Sequence, residues 1–124
     1  MTPETRLLRQ VHPSWVQGER VSSQVFKPTP KDQKRLSAYD GDRIAPEGAW
    51  RHYTERRGHA SVGVLAVTVA ECDALDLPAE PDPTPFPEHV VIRFDDLSNS
   101  QIEKKAKRLR AAAMSRGWLY QADA

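Results

Sequence analysis

A run of eleven residues without any charge, Ala60–Ala70 (ASVGVLAVTVA), constrains the fold of this chain more than any other feature. Four of its residues are valine, whose branched side chain packs well on a pleated strand. The apolar residues are continuous rather than alternating, which is typical of a strand buried on both faces. We therefore expect a central, fully covered strand in this segment.

Two helices are expected, one on each side of this strand in the sequence. The later one begins in a capping box, either Ser98 with Gln101 or Ser100 with Glu103, and ends at Gly117. Its apolar face carries four residues at helical spacing: Ile102, Ala106, Leu109 and Ala113. The earlier one has Pro46 at its first position and Gly58 just past its end, with an apolar stripe of Ala49, Trp50 and Tyr53.

Shorter strands are expected around these elements. Arg20–Phe26 and His89–Phe94 are rich in β-branched and aromatic residues, and Pro28 and Pro30 end the first of them. The less certain segments are Leu7–Val11 (strand or short helix), Lys34–Ala38 (short strand or turn), Glu71–Leu75 (one helical turn) and Trp118–Tyr120 (edge strand). Pro78–Pro87 should be an extended connection, because each proline ring fixes φ.

These elements predict a single α+β domain spanning residues 1–124. Its sheet is expected to be mostly antiparallel, of about four to five strands, with the two helices packed on one face. The 124 residues can bury roughly two thirds of their unfolded surface, which is enough for a core. The lone cysteine, Cys72, excludes an internal disulfide. With no long apolar segment and no secretion signal in Met1–Gln10, we expect a cytoplasmic protein without membrane contact.

The charges are segregated although they nearly cancel, at a net +1. Residues 69–97 carry eight acids against Arg93 alone, and residues 103–116 carry six bases against Glu103 alone. The bases of the last helix include Lys104, Lys105, Lys107 and Arg108. They are candidates for contact with an anionic partner, although a solvated helix face has the same pattern.

The segment from His12 to Tyr39 is a second candidate site. It has little apolar content and concentrates residues suited to an anion or nucleotide, because Arg and Lys bring charge, Trp and Tyr stack, and hydroxyls donate hydrogen bonds. The ligand-binding candidates are His12, Trp15, Arg20, Ser22, Ser23, Lys27 and Tyr39. The same segment also contains Lys31, Asp32, Lys34, Arg35 and Ser37. An ordinary surface connection explains it equally well.

The sequence offers no metal or cofactor motif. The four histidines (His12, His52, His59 and His89) are not at ligand spacing, and Asp40-Gly41-Asp42 is better explained as a turn. Glu71 and Asp73 flank Cys72 and oppose its ionisation, which argues against a cysteine nucleophile. We therefore expect no metal and no cofactor, and no catalytic motif is recognisable.

The pattern favours a small, non-enzymatic binding module that acts through a protein partner, using the proline segment and the opposed charges. The alternative is a protein directed to nucleic acid or nucleotides, possibly an enzyme, that uses residues 12–39 and the basic C-terminal helix. The two hypotheses differ in whether the bases of residues 20–35 and of 104–110 share one face.

Overall fold

Six antiparallel strands form the main sheet of the protein, in the order β6-β7-β4-β1-β5-β8. The computed structural model describes residues 1–122, with only the backbone of Asp32. The sheet strands are β1 (Arg6–Gln10), β4 (Arg35–Asp40), β5 (Gly63–Thr68), β6 (Ala79–Pro81), β7 (His89–Arg93) and β8 (Tyr120–Gln121). A separate two-stranded ribbon pairs β2 (Val16–Gln17) with β3 (Arg20–Val21). The α+β class and the antiparallel sheet are confirmed, with six strands rather than four or five.

Residues 63–68 of the uncharged run form β5, which is buried on both faces as its sequence predicts but lies second from the edge of the sheet rather than at its centre. Leu65 and Val67 point into the larger core, whereas Val64 and Ala66 point into a smaller core on the opposite face. All four side chains are fully buried. Both faces of the sheet are therefore covered at this strand.

Helix α3 (Asn99–Arg116) covers the first face of the sheet. Ser98 and Gln101 form its capping box, and Gly117 ends it with a φ of 89°. Ile102, Ala106, Leu109 and Ala113 are all buried against the sheet, as the spacing predicts. The short helix α2 (Val69–Asp73) follows β5 directly, and its Cys72 lies in the same core.

Helix α1 (Pro46–Arg51) covers the second face of the sheet and continues as a π-helical turn, His52–Arg56. Ala49 is fully buried there against Leu8, Val64 and Ala66. The prediction that both main helices pack on one face is therefore wrong. The physical reason is that β5 has two apolar faces, and each of them must be covered by a packed element to be removed from water.

The predicted strand at Arg20–Phe26 is also wrong beyond Val21. Ser23–Phe26 is a 3₁₀ turn, in which the Gln24 amide donates to the hydroxyl of the N-cap Ser22. In a strand, Val25 and Phe26 would point to opposite faces, but in this turn both side chains enter the core beneath α3. The proline segment is extended in its first part, where it contributes the short edge strand β6, but it bends at Thr84 and Pro85 and turns at Pro87, so that Phe86 packs on Tyr39.

Within residues 1–122, no helix is long and apolar enough to cross a bilayer.

Candidate functional site: a polar cleft on the second face of the sheet

A cleft of about 370 Å³ opens on the second face of the sheet, beside helix α1. This sheet-face cleft has β1, β4 and β7 as its floor, the end of the π-helical turn as one wall, and the loop before β7 as the other. Its volume is near the lower end of the roughly 300–1,000 Å³ range of small-molecule sites. The lining side chains that carry its chemistry are Gln10, Ser37, Tyr53, Arg57, His59 and His89.

The lining of the sheet-face cleft is basic. Among the described residues it includes Arg9, Arg57, His59 and His89, and no aspartate or glutamate. Arg9 is held by the chain itself, because its guanidinium donates to the carbonyls of Val25 and Ser37. Arg57 is exposed, lies 5.1 Å from the centre of the Phe86 ring and has no ion-pair partner among the described residues. A guanidinium at the edge of an aromatic wall is suited to the anionic group of a small molecule.

Gln10 lies on the floor of the cleft with half of its amide unsatisfied. The residue is 5% exposed, and its Oε1 accepts a hydrogen bond from Ser61 Oγ at 2.8 Å. Its Nε2 is buried and has no partner within the described chain. An unpaired buried donor costs roughly 1–3 kcal/mol, so such groups are rare unless a ligand or water completes them.

Ser37 and His89 form a hydrogen-bonded pair on this floor. His89 Nε2 lies 3.0 Å from Ser37 Oγ, and His89 Nδ1 lies 2.9 Å from the carbonyl oxygen of Asp82. The carboxylate Oδ2 of Asp82 is 3.5 Å from the same nitrogen. His89 is 6% exposed, whereas Ser37 is exposed. The hydroxyl thus faces the cleft while the ring behind it is shielded from water.

A second histidine is fixed by Tyr39. The Tyr39 hydroxyl lies 2.8 Å from His52 Nδ1, and the Phe86 ring stacks on Tyr39 with ring centres 4.9 Å apart. Burial raises the pKa of Tyr39 well above its ordinary value, although nearby Arg57 opposes this. The phenol therefore stays protonated and is hydrogen-bonded to His52, which makes this group part of the wall rather than an acid or base.

The π-helical turn determines which side chains reach the cleft. It widens the end of the helix by one residue per turn, and such turns are frequent at functional sites. The chain then reverses at Gly58, which has a φ of 69°, and the amide of His59 donates to the carbonyl of Tyr53. Tyr53, Arg57 and His59 consequently line the cleft together.

The sequence-predicted residues of the 12–39 segment are only partly brought together, and on the other face of the sheet. Trp15, Arg20, Ser22 and Ser23 line a groove of about 560 Å³, called here the basic groove. Lys107 and Arg110 of α3 form its other side. His12 is exposed nearby, with its ring 5.8 Å from that of Trp15.

The remaining candidates lie elsewhere. Lys27 pairs with Glu103 at 2.6 Å beside a wider depression at the start of α3, and Tyr39 is in the sheet-face cleft. The basic residues of α3 do not lie on one surface. Lys107 faces the basic groove. A shallow hollow next to α2 is flanked by Lys104, Lys105 and Arg108.

Neither thiol nor metal chemistry has support among residues 1–122. Cys72 is fully buried, and burial together with Glu71 and Asp73 raises its pKa to about 12. No three histidine, cysteine, aspartate or glutamate side chains of the described chain are grouped as a metal site would require.

Sequence reasoning did not identify Gln10, Ser37, Arg57 and His89 as a site. Ser37 and His89 are 52 residues apart, and the pairing of β4 with β7 is what joins them. The available signals were weak: a serine and a histidine at the outward positions of two predicted strands.

No family model matches this chain, and neither the curated proteins nor the solved structures contain a match to it.

Proposed function

We propose that the protein binds a small organic anion, bearing a carboxylate or phosphate group, in the sheet-face cleft. The observation that carries this proposal is Arg57, which has no ion-pair partner among the described residues and lies in a cleft whose described lining contains no carboxylate. In a partly dehydrated cleft such a lining favours negative charge, because the surrounding dielectric screens the attraction less than water does.

Three features of the cleft support a specific pose. Arg57 is available to the anionic group at the mouth, and Phe86 and Tyr53 provide aromatic surface for a planar part of the ligand. The Gln10 amide, whose Nε2 has no partner among the described residues, lies in the floor beneath such a ligand. A single aromatic ring with one anionic substituent fits these requirements and the small volume.

Binding of phenyl phosphate, followed by the amide NMR spectrum, tests the proposal. We expect shifts at the cleft residues with phenyl phosphate and much weaker ones with benzyl alcohol, which keeps the ring and lacks the charge. Arg57→Gln should weaken the affinity about tenfold, as expected for the loss of a charge-assisted hydrogen bond. Its stability should change by no more than about 0.5 kcal/mol, since the side chain is exposed.

Arg56→Gln is the matched control, because Arg56 is the adjacent exposed arginine and does not line the cleft. Its affinity for phenyl phosphate should equal that of the unaltered chain. If both variants lost the same affinity for phenyl phosphate, the loss would come from the lower net charge of the protein and not from a contact made by Arg57. Absence of shifts at the cleft at millimolar phenyl phosphate would contradict the proposal.

A second candidate function, contact with nucleic acid, is favoured by the basic groove. Arg20 lies with Lys107 and Arg110 along this groove, beside the half-buried Trp15. Three cations in a row can follow a phosphate backbone, each contact releasing counterions. Arg110 is also tied to the groove wall, because its Nε donates to the carbonyl of Val21.

Single-stranded oligothymidine is the probe for this second function. Arg20→Gln with Lys107→Gln should weaken binding and lower the slope of log affinity against log salt by about 1.4, the value for two phosphate contacts on a single strand. The control pair, Lys104→Gln with Arg108→Gln, removes the same charge outside the groove and should leave that slope unchanged. No retention of oligothymidine at low salt would exclude the function.

The hypothesis of an accessory module acting through a protein partner stays a prediction from the charge distribution. Phe86, the apolar residue of the proline segment, packs on Tyr39 and His52. The exposed residues of that segment are Pro78, Glu80, Pro81, Pro83, Thr84, Pro85 and Pro87.

A further inference from the structure

We propose that the sheet-face cleft is a catalytic site for ester hydrolysis, in which Ser37 is the nucleophile and His89 is its general base. The inference rests on the proposed function, since the anion-binding groups would position the substrate. It adds a reaction to that binding, and it names the substrate class as a small carboxylic ester with a second, anionic group.

The hydrogen bonds of His89 determine which ring nitrogen carries the proton. Nδ1 faces the carbonyl oxygen of Asp82 at 2.9 Å and the Asp82 carboxylate at 3.5 Å. Both oxygens are acceptors, so Nδ1 must be the donor. In the neutral ring Nε2 then carries the lone pair, and the Ser37 hydroxyl, 3.0 Å away, donates to it. A serine that donates to an oriented histidine is the arrangement of an activated nucleophile.

The histidine is held rigidly in this orientation. The amide of Asp82 donates back to the carbonyl of His89 at 2.9 Å, so the two residues are joined by two hydrogen bonds. The Phe86 ring lies edge-on at 5.1 Å from the imidazole. Tyr39 is the residue paired with His89 in the ladder between β4 and β7. Ser37 is two residues earlier in β4, so it is the next side chain on the same face of the sheet. Both partners therefore stand on strands rather than on loops.

The reaction balances with water as the only co-reactant. Ser37 Oγ attacks the ester carbonyl carbon while its proton passes to His89 Nε2. The bond from carbon to the leaving alkoxy oxygen then breaks, and the His89 proton goes to that oxygen to give the alcohol. Water attacks the acyl-serine and gives a proton to Nε2. The bond from the acyl carbon to Oγ breaks, the acid leaves, and Ser37 recovers its proton.

The cleft also contains donors for the negative charge that forms on the carbonyl oxygen. Gln10 Nε2 has two hydrogens and no acceptor among the described residues, and it lines the same floor as Ser37. A hydrogen-bond donor close to the carbonyl oxygen stabilises such an oxyanion. Arg57, at the mouth, is left for the second anionic group of the substrate.

The test uses 4-acetoxybenzoate, an aromatic ester with a carboxylate too distant to assist its own hydrolysis, and its neutral methyl ester as the matched probe. We expect release of 4-hydroxybenzoate above the buffer rate, with a lower KM than for the methyl ester. Ser37→Ala and His89→Gln should each lower turnover about 10²–10⁴-fold. The glutamine can keep both hydrogen bonds of His89 but cannot take a proton. Ser100→Ala, an exposed serine of α3, should keep full turnover.

A second measurement does not depend on the variants folding. A fluorophosphonate, which phosphonylates activated serines, should label the unaltered chain at Ser37, located by peptide mass spectrometry. No label at Ser37, with no turnover above buffer, overturns the catalytic assignment. If the amide shifts with phenyl phosphate persist in that case, the binding proposal stands without the reaction. If the amide shifts are absent too, both the catalytic proposal and the binding proposal are wrong.

Discussion

Replacement of Phe26 by alanine is expected to destabilise the protein by about 3–5 kcal/mol, the usual cost of emptying a buried phenylalanine site. Phe26 is fully buried in the core between the 3₁₀ turn Ser23–Phe26 and helix α3. A domain is held together by only about 5–15 kcal/mol, so this one change should remove a large part of the stability. Urea unfolding followed by far-ultraviolet circular dichroism measures the difference.

Gln24→Ala is the control for this substitution, because Gln24 is an exposed residue of the same turn. It should change the free energy of unfolding by no more than about 0.5 kcal/mol. Val25→Ala adds a second check, since the turn places Val25 as well as Phe26 in the core beneath α3. An unchanged free energy of unfolding after either Val25→Ala or Phe26→Ala would contradict the burial that the turn gives both side chains.

Leu109→Ala is expected to cost about 2–5 kcal/mol, because Leu109 is fully buried on the apolar face of α3. Its neighbours on that face, Ala106 and Ala113, are small and bring the helix close to the sheet. These alanine side chains are too small to fill the cavity that removal of the leucine side chain leaves. The same urea unfolding experiment gives the loss.

Arg108→Ala is the matched control for Leu109, since it is the adjacent residue on the exposed side of α3. Its effect should stay within about 0.5 kcal/mol. The sequence pattern assigns Arg110 equally to the polar side, but its Nε donates to the carbonyl of Val21, so it is not a neutral control. Equal small losses at 108 and 109 would mean that α3 does not dock on the sheet.

Local signals explain the parts of the fold that the sequence predicts well. The limits of α3 follow from Ser98, Gln101 and Gly117, which lie within or beside the helix they terminate. Burial of β5 follows from its uncharged composition alone. The segment 20–26 is different, because the adjacent pair Val25 and Phe26 is apolar in either a strand or a turn, and packing beneath α3 selects the turn.

The candidate site could not be predicted in the same way, because it depends on pairing between distant strands. His89 reaches Ser37 only through the antiparallel register of β4 with β7, and Gln10 joins them because β1 lies beside β4. Spacing along the chain contains none of this information. The basic groove was better anticipated, since Trp15, Arg20, Ser22 and Ser23 are close in sequence as well as in space.

The lengths of the outermost strands have a consequence for self-association. β5 combines high β-propensity with no charge, which is the composition of segments that pair between chains into fibrils when an edge is open. Among the described residues, its outer edge pairs with β8 only at Gly63 and Val64, where Gly63 lets the Tyr120 backbone approach so closely that a Cβ at residue 63 would overlap the Tyr120 carbonyl oxygen. Further along the same edge, the Arg116 side chain donates to the carbonyl of Ala66.

At the opposite end, β6 is three residues long and ends in Pro81, which has no amide hydrogen to offer an incoming strand. The β6 margin of the sheet thus discourages addition of a further strand, whereas the outer edge of β5 is shielded by β8 over two residues and by the Arg116 side chain at Ala66.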